Sequence, residues 1–151
     1  MTAPREGSCQ CGAIRYRLSG DPLSLYVCHC NECQRHTGSA FVLSMIVWRR
    51  DIAVLQGEPH AYALTMPDER RKNGRFCPIC GTRLWGEPAA FPDVVVLRPG
   101  TLDDTNWLEP VAHIWTSSKQ PWVVIPPGVL TFETQPDPMR LIEAWQRRAR
   151  S

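Results

Sequence analysis

The sequence predicts a mainly β protein of several short antiparallel sheets, with a helix at its C-terminal end. Three observations carry that expectation. Fourteen prolines are spread along 151 residues, which suits strands and turns better than long helices. Short alternating or apolar runs recur, divided by Gly, Pro, Asp or Asn. Only one stretch, near the end, combines a helix start signal with helical spacing of apolar residues.

The elements follow in order. Ile14, Tyr16 and Leu18 alternate with Arg15 and Arg17, the pattern of a half-buried strand. Gly20, Asp21 and Pro22 make a turn into a strand over 23–28. A short helix is expected over 31–36. Residues 39–48 are rich in β-formers and read as a central strand. Further strands are expected at 52–55, 61–65, 94–97, 113–115 and 129–132. Asp137 is a helix N-cap with Pro138 at the first helical position. Leu141, Ile142 and Trp145 then share one face, Met139 lies at its margin, and Arg147, Arg148 and Arg150 suit the negative end of the helix dipole. The expected organisation is a zinc-binding β domain over 1–136 and a helix over 137–151, packed on it or extending from it.

Composition narrows the function classes. Hydrophobic residues are 43% and charged residues 21%, the profile of a globular chain. The longest apolar run, Phe41 to Trp48, is broken by Ser44 and is far short of the ~20 residues that a membrane helix needs. No apolar segment follows the N-terminus, so no secretory signal is expected and the protein is read as cytoplasmic, without a membrane partner. A formal net charge of +2 gives no expectation of nucleic-acid binding.

Seven cysteines stand out, and they fall into three groups. Cys9 and Cys11 precede Gly12; Cys28, Cys30 and Cys33 form the second group; Cys77 and Cys80 precede Gly81. Without an export signal, metal is a better explanation than disulfides. The first and third groups have the form of zinc knuckles, in which Gly permits the turn that aims amides at sulfur. Together they supply four thiolates for a closed structural zinc, which would clamp two halves of the fold together across 65 intervening residues. The second group is left with three, the ligand number of an open catalytic zinc. Spacing leaves other partitions open: the second and third groups could close a site, His29 or His36 could complete the trio, or the Cys pairs could be redox-active.

The blocks GSCQCGAIRY, CHCNECQRHTGSAF, RFCPICGTRLW, GTLDD and HIWTSSKQPWV resemble the glutathione-dependent formaldehyde-activating enzyme family over about residues 7–133. The resemblance implies a β-tent fold, shared with a guanine-nucleotide exchange factor and centromere protein V. It also implies two zinc ions, one structural on Cys9, Cys11, Cys77 and Cys80, and one catalytic on Cys28, Cys30 and Cys33. The implied activity is that of a carbon–sulfur lyase acting on a thiol–aldehyde adduct, such as S-hydroxymethylglutathione formed from glutathione and formaldehyde.

Three thiolates make zinc a weak Lewis acid that favours a soft fourth ligand, so a small thiol partner such as glutathione is expected to ionise there and attack a small aldehyde. Its carboxylates call for cations, for which Arg35, Arg75 and Lys119 are candidates. His36 is a candidate proton shuttle because free histidine titrates near neutrality. Trp115 is expected to wall the pocket, with Trp122 a weaker candidate. The alternative from another class is a non-catalytic zinc-stapled module that binds a protein or ligand.

Overall fold

The computed structural model of the chain describes residues 3–151. In chain order the elements are β1 (Arg5–Ser8), β2 (Arg15–Leu18), β3 (Ser24–Cys28), α1 (Asn31–Thr37), β4 (Val42–Trp48), β5 (Ile52–Gln56), β6 (His60–Thr65), β7 (Arg71–Phe76), β8 (Arg83–Pro88), β9 (Val94–Leu97), β10 (Ala112–Ile114), β11 (Leu130–Thr131) and α2 (Pro138–Arg148). The expected mainly β class, with its C-terminal helix, is what forms. The chain divides into two compact units, the first running to Pro22 and again over Ile46–Trp107, the second comprising Leu23–Met45 and Leu108–Ser151.

In the first unit β1, β2 and β5 form an antiparallel sheet in that order. The alternation in β2 has its expected cause. Tyr16 and Leu18 are fully buried, whereas Arg15 and Arg17 face outward and pair with Glu6 at 3.2 and 2.8 Å. Strands β6 to β9 form an antiparallel meander. Strand β7 has the polar sequence RKNGRF, in which only Gly74 is buried. That glycine is required, because a Cβ there would occupy the place of the Tyr62 ring on β6.

A charged network braces this meander. The Glu87 side chain, only 11% exposed, accepts hydrogen bonds from Arg75 Nε at 2.9 Å and Trp85 Nε1 at 3.2 Å, and pairs with Arg49 at 3.4 Å. Burial alone would raise its carboxyl pKa. The bonds from Arg75 and Trp85 and the charges of Arg75 and Arg49 outweigh that and hold it below the ordinary value of 4.5. Glu87→Ala is expected to lower stability by about 2 kcal/mol at neutral pH, because it strands two partly buried donors. A depressed carboxyl stabilises the fold above the unfolded-state pKa, so the deficit should shrink as pH falls below about 4.5. Denaturant titrations of both proteins from pH 7 to 3 check this.

In the second unit the strand order is β11-β10-β3-β4. Strand β3 is buried along its whole length, as its uninterrupted run SLYVC requires. It differs from the expected antiparallel arrangement: β10 runs parallel to β3, and β11 runs parallel to β10. The reason is the connection, since more than eighty residues separate β3 from β10, ample for a crossover. Helix α2 forms as its signals dictate. Asp137 accepts from the Met139 amide at 2.9 Å and Pro138 opens the first turn. Leu141 is 1% exposed, and the Ser24 hydroxyl of β3 donates to the Leu141 carbonyl at 2.9 Å, so the helix packs by its apolar face.

Candidate functional site

Two cysteine clusters form, one within each unit. In the first, both knuckles have the same construction. The Cys9 amide donates to Ile14 O and the Gly12 amide to Cys9 O. The Cys77 amide donates to Thr82 O and the Gly81 amide to Cys77 O. Gly12 and Gly81 take φ of 77° and 78°, the left-handed turn that glycine permits. Each knuckle presents one buried sulfur, Cys9 or Cys77, and one nearer the surface, Cys11 or Cys80. Cys11 Sγ lies 3.6 Å from Cys9 Sγ and 3.8 Å from Cys77 Sγ, and all four sulfurs fall within 4.8 Å of one another.

Hydrogen bonds divide the charge unequally among these sulfurs. Cys80 is lowered to about 5, first by the Thr82 hydroxyl and then by backbone amides. Cys9 is also lowered: burial opposes its ionisation, but the Ile14 amide, 3.2 Å from its sulfur, and the thiols of Cys11 and Cys77 outweigh it. Cys11 is favoured as a thiolate by the Ala13 amide, yet burial and the sharing of protons with Cys9, Cys80 and Cys77 push it up to about 11. Four soft donors that cannot all ionise without a cation are the ligand set of a closed zinc site. This cluster does not clamp the two halves of the chain, as its spacing suggested. Both knuckles belong to the first unit, and the cluster ties the β1–β2 hairpin to the β7–β8 hairpin. About a third of the sequence separation is the excursion through Leu23–Met45.

The second cluster lies where β3 meets α1. Cys28 ends the strand, Cys30 caps the helix by accepting from the Cys33 amide at 3.1 Å, and Cys33 sits in the first turn. Cys33 Sγ is 2.7 Å from Cys30 Sγ and 3.3 Å from Cys28 Sγ. Cys28 and Cys30 are buried and Cys33 is half-buried. The Cys28 thiol is pushed up by its hydrogen-bonded neighbours Cys30 and Cys33, and by burial. Three crowded thiols again call for a cation, and the donor set fits zinc with one position unfilled by protein.

Among the described residues neither histidine joins the trio. His29 is turned away. Its Nε2 meets His113 Nδ1 at 2.8 Å, the two rings stack at 5.1 Å, and Phe41 meets its edge. Burial, then the charges of His113 and Lys119, depress the His29 pKa to about 4, so its imidazole is neutral. His36 is half-buried, one turn along α1 from Cys33, and Arg35 is exposed beside it.

The HIWTSSKQPW segment lies beside this trio. Ile114 is in register with Cys28, and the His29 amide donates to Ile114 O at 3.0 Å. Trp115 follows in a left-handed conformation, φ 57°, that turns the chain out of β10, and its Nε1 donates to Gln135 Oε1 at 3.1 Å. That conformation costs a bulky residue about 1 kcal/mol or more. Lys119 Nζ donates to the carbonyls of Gln120 and Val123 at 3.2 and 2.8 Å, and its charge acts on His29. Trp122 is 70% exposed, and its Nε1 donates to Gln120 Oε1 at 2.6 Å. Arg75 is committed to Glu87 in the first unit. Sequence reasoning missed Gln34, whose amide joins α1 to this segment; neither its residue type nor its spacing marks it.

The family profile described as glutathione-dependent formaldehyde-activating enzyme matches residues 4–118, a span that includes all seven cysteines. The chain belongs to that family. A protein of Halomonas elongata, named "Putative glutathione-dependent formaldehyde-activating enzyme", is 30% identical over 129 residues, which are 80% of each chain. A crystal structure of a Rhodobacter sphaeroides protein aligns with a TM-score of 0.54 and 19% identity, covering 68% of this chain and 91% of that one, and so shares the fold. Helix α2 and Lys119 lie beyond the family match. No helix among the described residues is long and apolar enough to cross a membrane.

Proposed function

We propose that this family member joins glutathione to formaldehyde and, in reverse, cleaves the adduct as a carbon–sulfur lyase. The observation that carries the reading is the trio: three sulfurs within 4.8 Å of one another, joined by no further His, Cys, Asp or Glu among the described residues. Cys28, Cys30 and Cys33 would hold a catalytic zinc, and Cys9, Cys11, Cys77 and Cys80 a structural one. Zinc on three thiolates supplies a place for a soft ligand and lowers the pKa of a thiol arriving there.

The reaction is an addition without redox change. A sulfur–carbon bond forms, the carbonyl π bond breaks, and the thiol proton ends on the new hydroxyl. The chain's own residues bind and carry that proton. His36 lies three residues beyond Cys33, one helical turn away, and would pass the proton between thiol and product oxygen. Arg35 on α1 and Lys119 would offset the glutathione carboxylates, and Trp115 would form the wall between them. Because two donors of Lys119 are already bonded to carbonyls, it would act through its charge and its remaining donor.

The test is direct. Purified protein with zinc, glutathione and formaldehyde should accelerate formation of S-hydroxymethylglutathione, followed by exchange NMR, above the uncatalysed rate. No acceleration with glutathione would reject this reading and favour the non-catalytic binding module.

A further inference from the structure

We propose that Gln34 is the positioning residue that latches the Thr116–Val123 segment beside the cysteine trio and thereby sets the affinity for the thiol. The part of the inference that concerns affinity rests on the reaction proposed above; the latch itself does not.

An amide side chain offers two N–H donors and one carbonyl, and each of these is engaged in Gln34. Its Nε2 donates to His29 O at 2.9 Å and to Ser118 O at 2.9 Å. Its Oε1 accepts from Gln120 Nε2 at 3.1 Å. His29 lies between Cys28 and Cys30, so one bond grips the trio's own loop. Ser118 and Gln120 flank Lys119, so the other two grip the segment on both sides of that charge.

The rest of the segment is arranged around this latch. Its start is fixed elsewhere: the amide and hydroxyl of Thr116 both donate to Phe132 O, and those of Ser117 to Glu133 O. Beyond Ser118 the bonds run inward. Lys119 Nζ closes on the Gln120 and Val123 carbonyls, and Trp122 Nε1 donates to Gln120 Oε1 at 2.6 Å. Gln120 is therefore the joint between the segment's internal network and Gln34. Upstream, the left-handed Trp115 holds a conformation that persists only where its surroundings over-determine it. The anchored segment supplies that constraint.

The Gln34 amide is committed to His29, Ser118 and Gln120, so its place is beside the trio and not among the ligands. Glutamate at this position is isosteric but puts a carboxylate oxygen where Nε2 stands, so acceptor faces acceptor at both carbonyls and both donated bonds are lost.

The experiment compares zinc-loaded full-length protein with Gln34→Glu and Gln34→Leu. Metal content, amide hydrogen exchange across 116–123, and KM and kcat for glutathione are measured. Both variants should keep two zinc ions per chain. Exchange in 116–123 should rise about tenfold or more, and KM should rise about tenfold while kcat stays within about twofold, as expected for loss of several coupled hydrogen bonds outside the chemistry. Unchanged exchange in 116–123 overturns the latch. Faster exchange with an unchanged KM, an equal fall in kcat, or loss of zinc overturns the role in thiol affinity. Should both variants fail to fold, Gln120→Leu removes one of the three latch bonds together with the bond from Trp122, and carries the same test with the same sign when compared with Trp122→Phe, which removes the Trp122 bond alone. A wild type inactive with glutathione counts against the proposed reaction instead, and exchange alone then decides the latch.

Discussion

Serine at Cys9, Cys11, Cys77 or Cys80 is expected to leave the protein unfolded at 25 °C, with cooperative melting lost and metal gone from both clusters. The reason is one of magnitude. Apparent zinc-binding free energies of structural sites run to about 10–16 kcal/mol, comparable with the ~5–15 kcal/mol total stability of a domain. The four-cysteine cluster joins two hairpins that are far apart in sequence, so breaking it frees both. Cys9 and Cys77 should be the most severe positions. They are 2% and 0% exposed, and the Ile14 amide that stabilises Cys9 Sγ would face a poorer partner. Circular dichroism melts with metal counts of the four variants check this. A Cys77→Ser protein that melts cooperatively near the wild-type temperature would contradict a structural role.

Serine at Cys28, Cys30 or Cys33 is expected to behave differently. The chain should stay folded, keep one zinc per chain, and lose glutathione-dependent turnover by about a thousandfold or more, since the whole site acts through that metal. The fold around the trio does not depend on it. Strand β3 is buried along its length and bonded to β10, and helix α1 is closed by Gly38, whose amide donates to the Gln34 carbonyl. Cys30 should be the costliest of the three for local order, because its sulfur also caps α1. A collapse of Cys30→Ser as complete as that of Cys9→Ser would make the trio structural instead.

The sequence makes some of this visible and hides the rest, for physical reasons. Helix α2 is legible because its signals are local: Asp137 and Pro138 determine the start whatever packs on it. Strand β2 is legible because Tyr16 and Leu18 face the interior while Arg15 and Arg17 face water. Strands β1, β7 and β8 are not, because REGS, RKNGRF and RLWGEP draw their stability from neighbours rather than from periodicity. Glu87 and its arginines, or Tyr62 lying over Gly74, meet only once the strands are aligned. The parallel pairing of β3 with β10 is likewise a property of the path between them.

The candidate site divides in the same way. Cysteine count and spacing are local, so both clusters are legible in the amino-acid sequence. What surrounds the trio is not local. His29 looks like a ligand by position, yet it stacks on His113 because its backbone continues from β3, which places its ring beside the parallel strand. Arg75 precedes Cys77 and looks like an anion partner, but strand pairing hands it to Glu87. Gln34 carries no chemical signature at all, and its importance comes from the three groups that the fold brings to one amide.

The central claim is that the trio is an open metal site that accepts a thiol. The measurement that addresses it most directly is the thiolate-to-metal charge-transfer absorption of the cobalt-substituted protein, titrated with glutathione. The account predicts that the band intensifies saturably on addition of glutathione in the wild type, as a further sulfur joins the metal, and does not change in Cys30→Ser. A wild-type band that stays constant through the titration, or one that grows equally in Cys30→Ser, would contradict it.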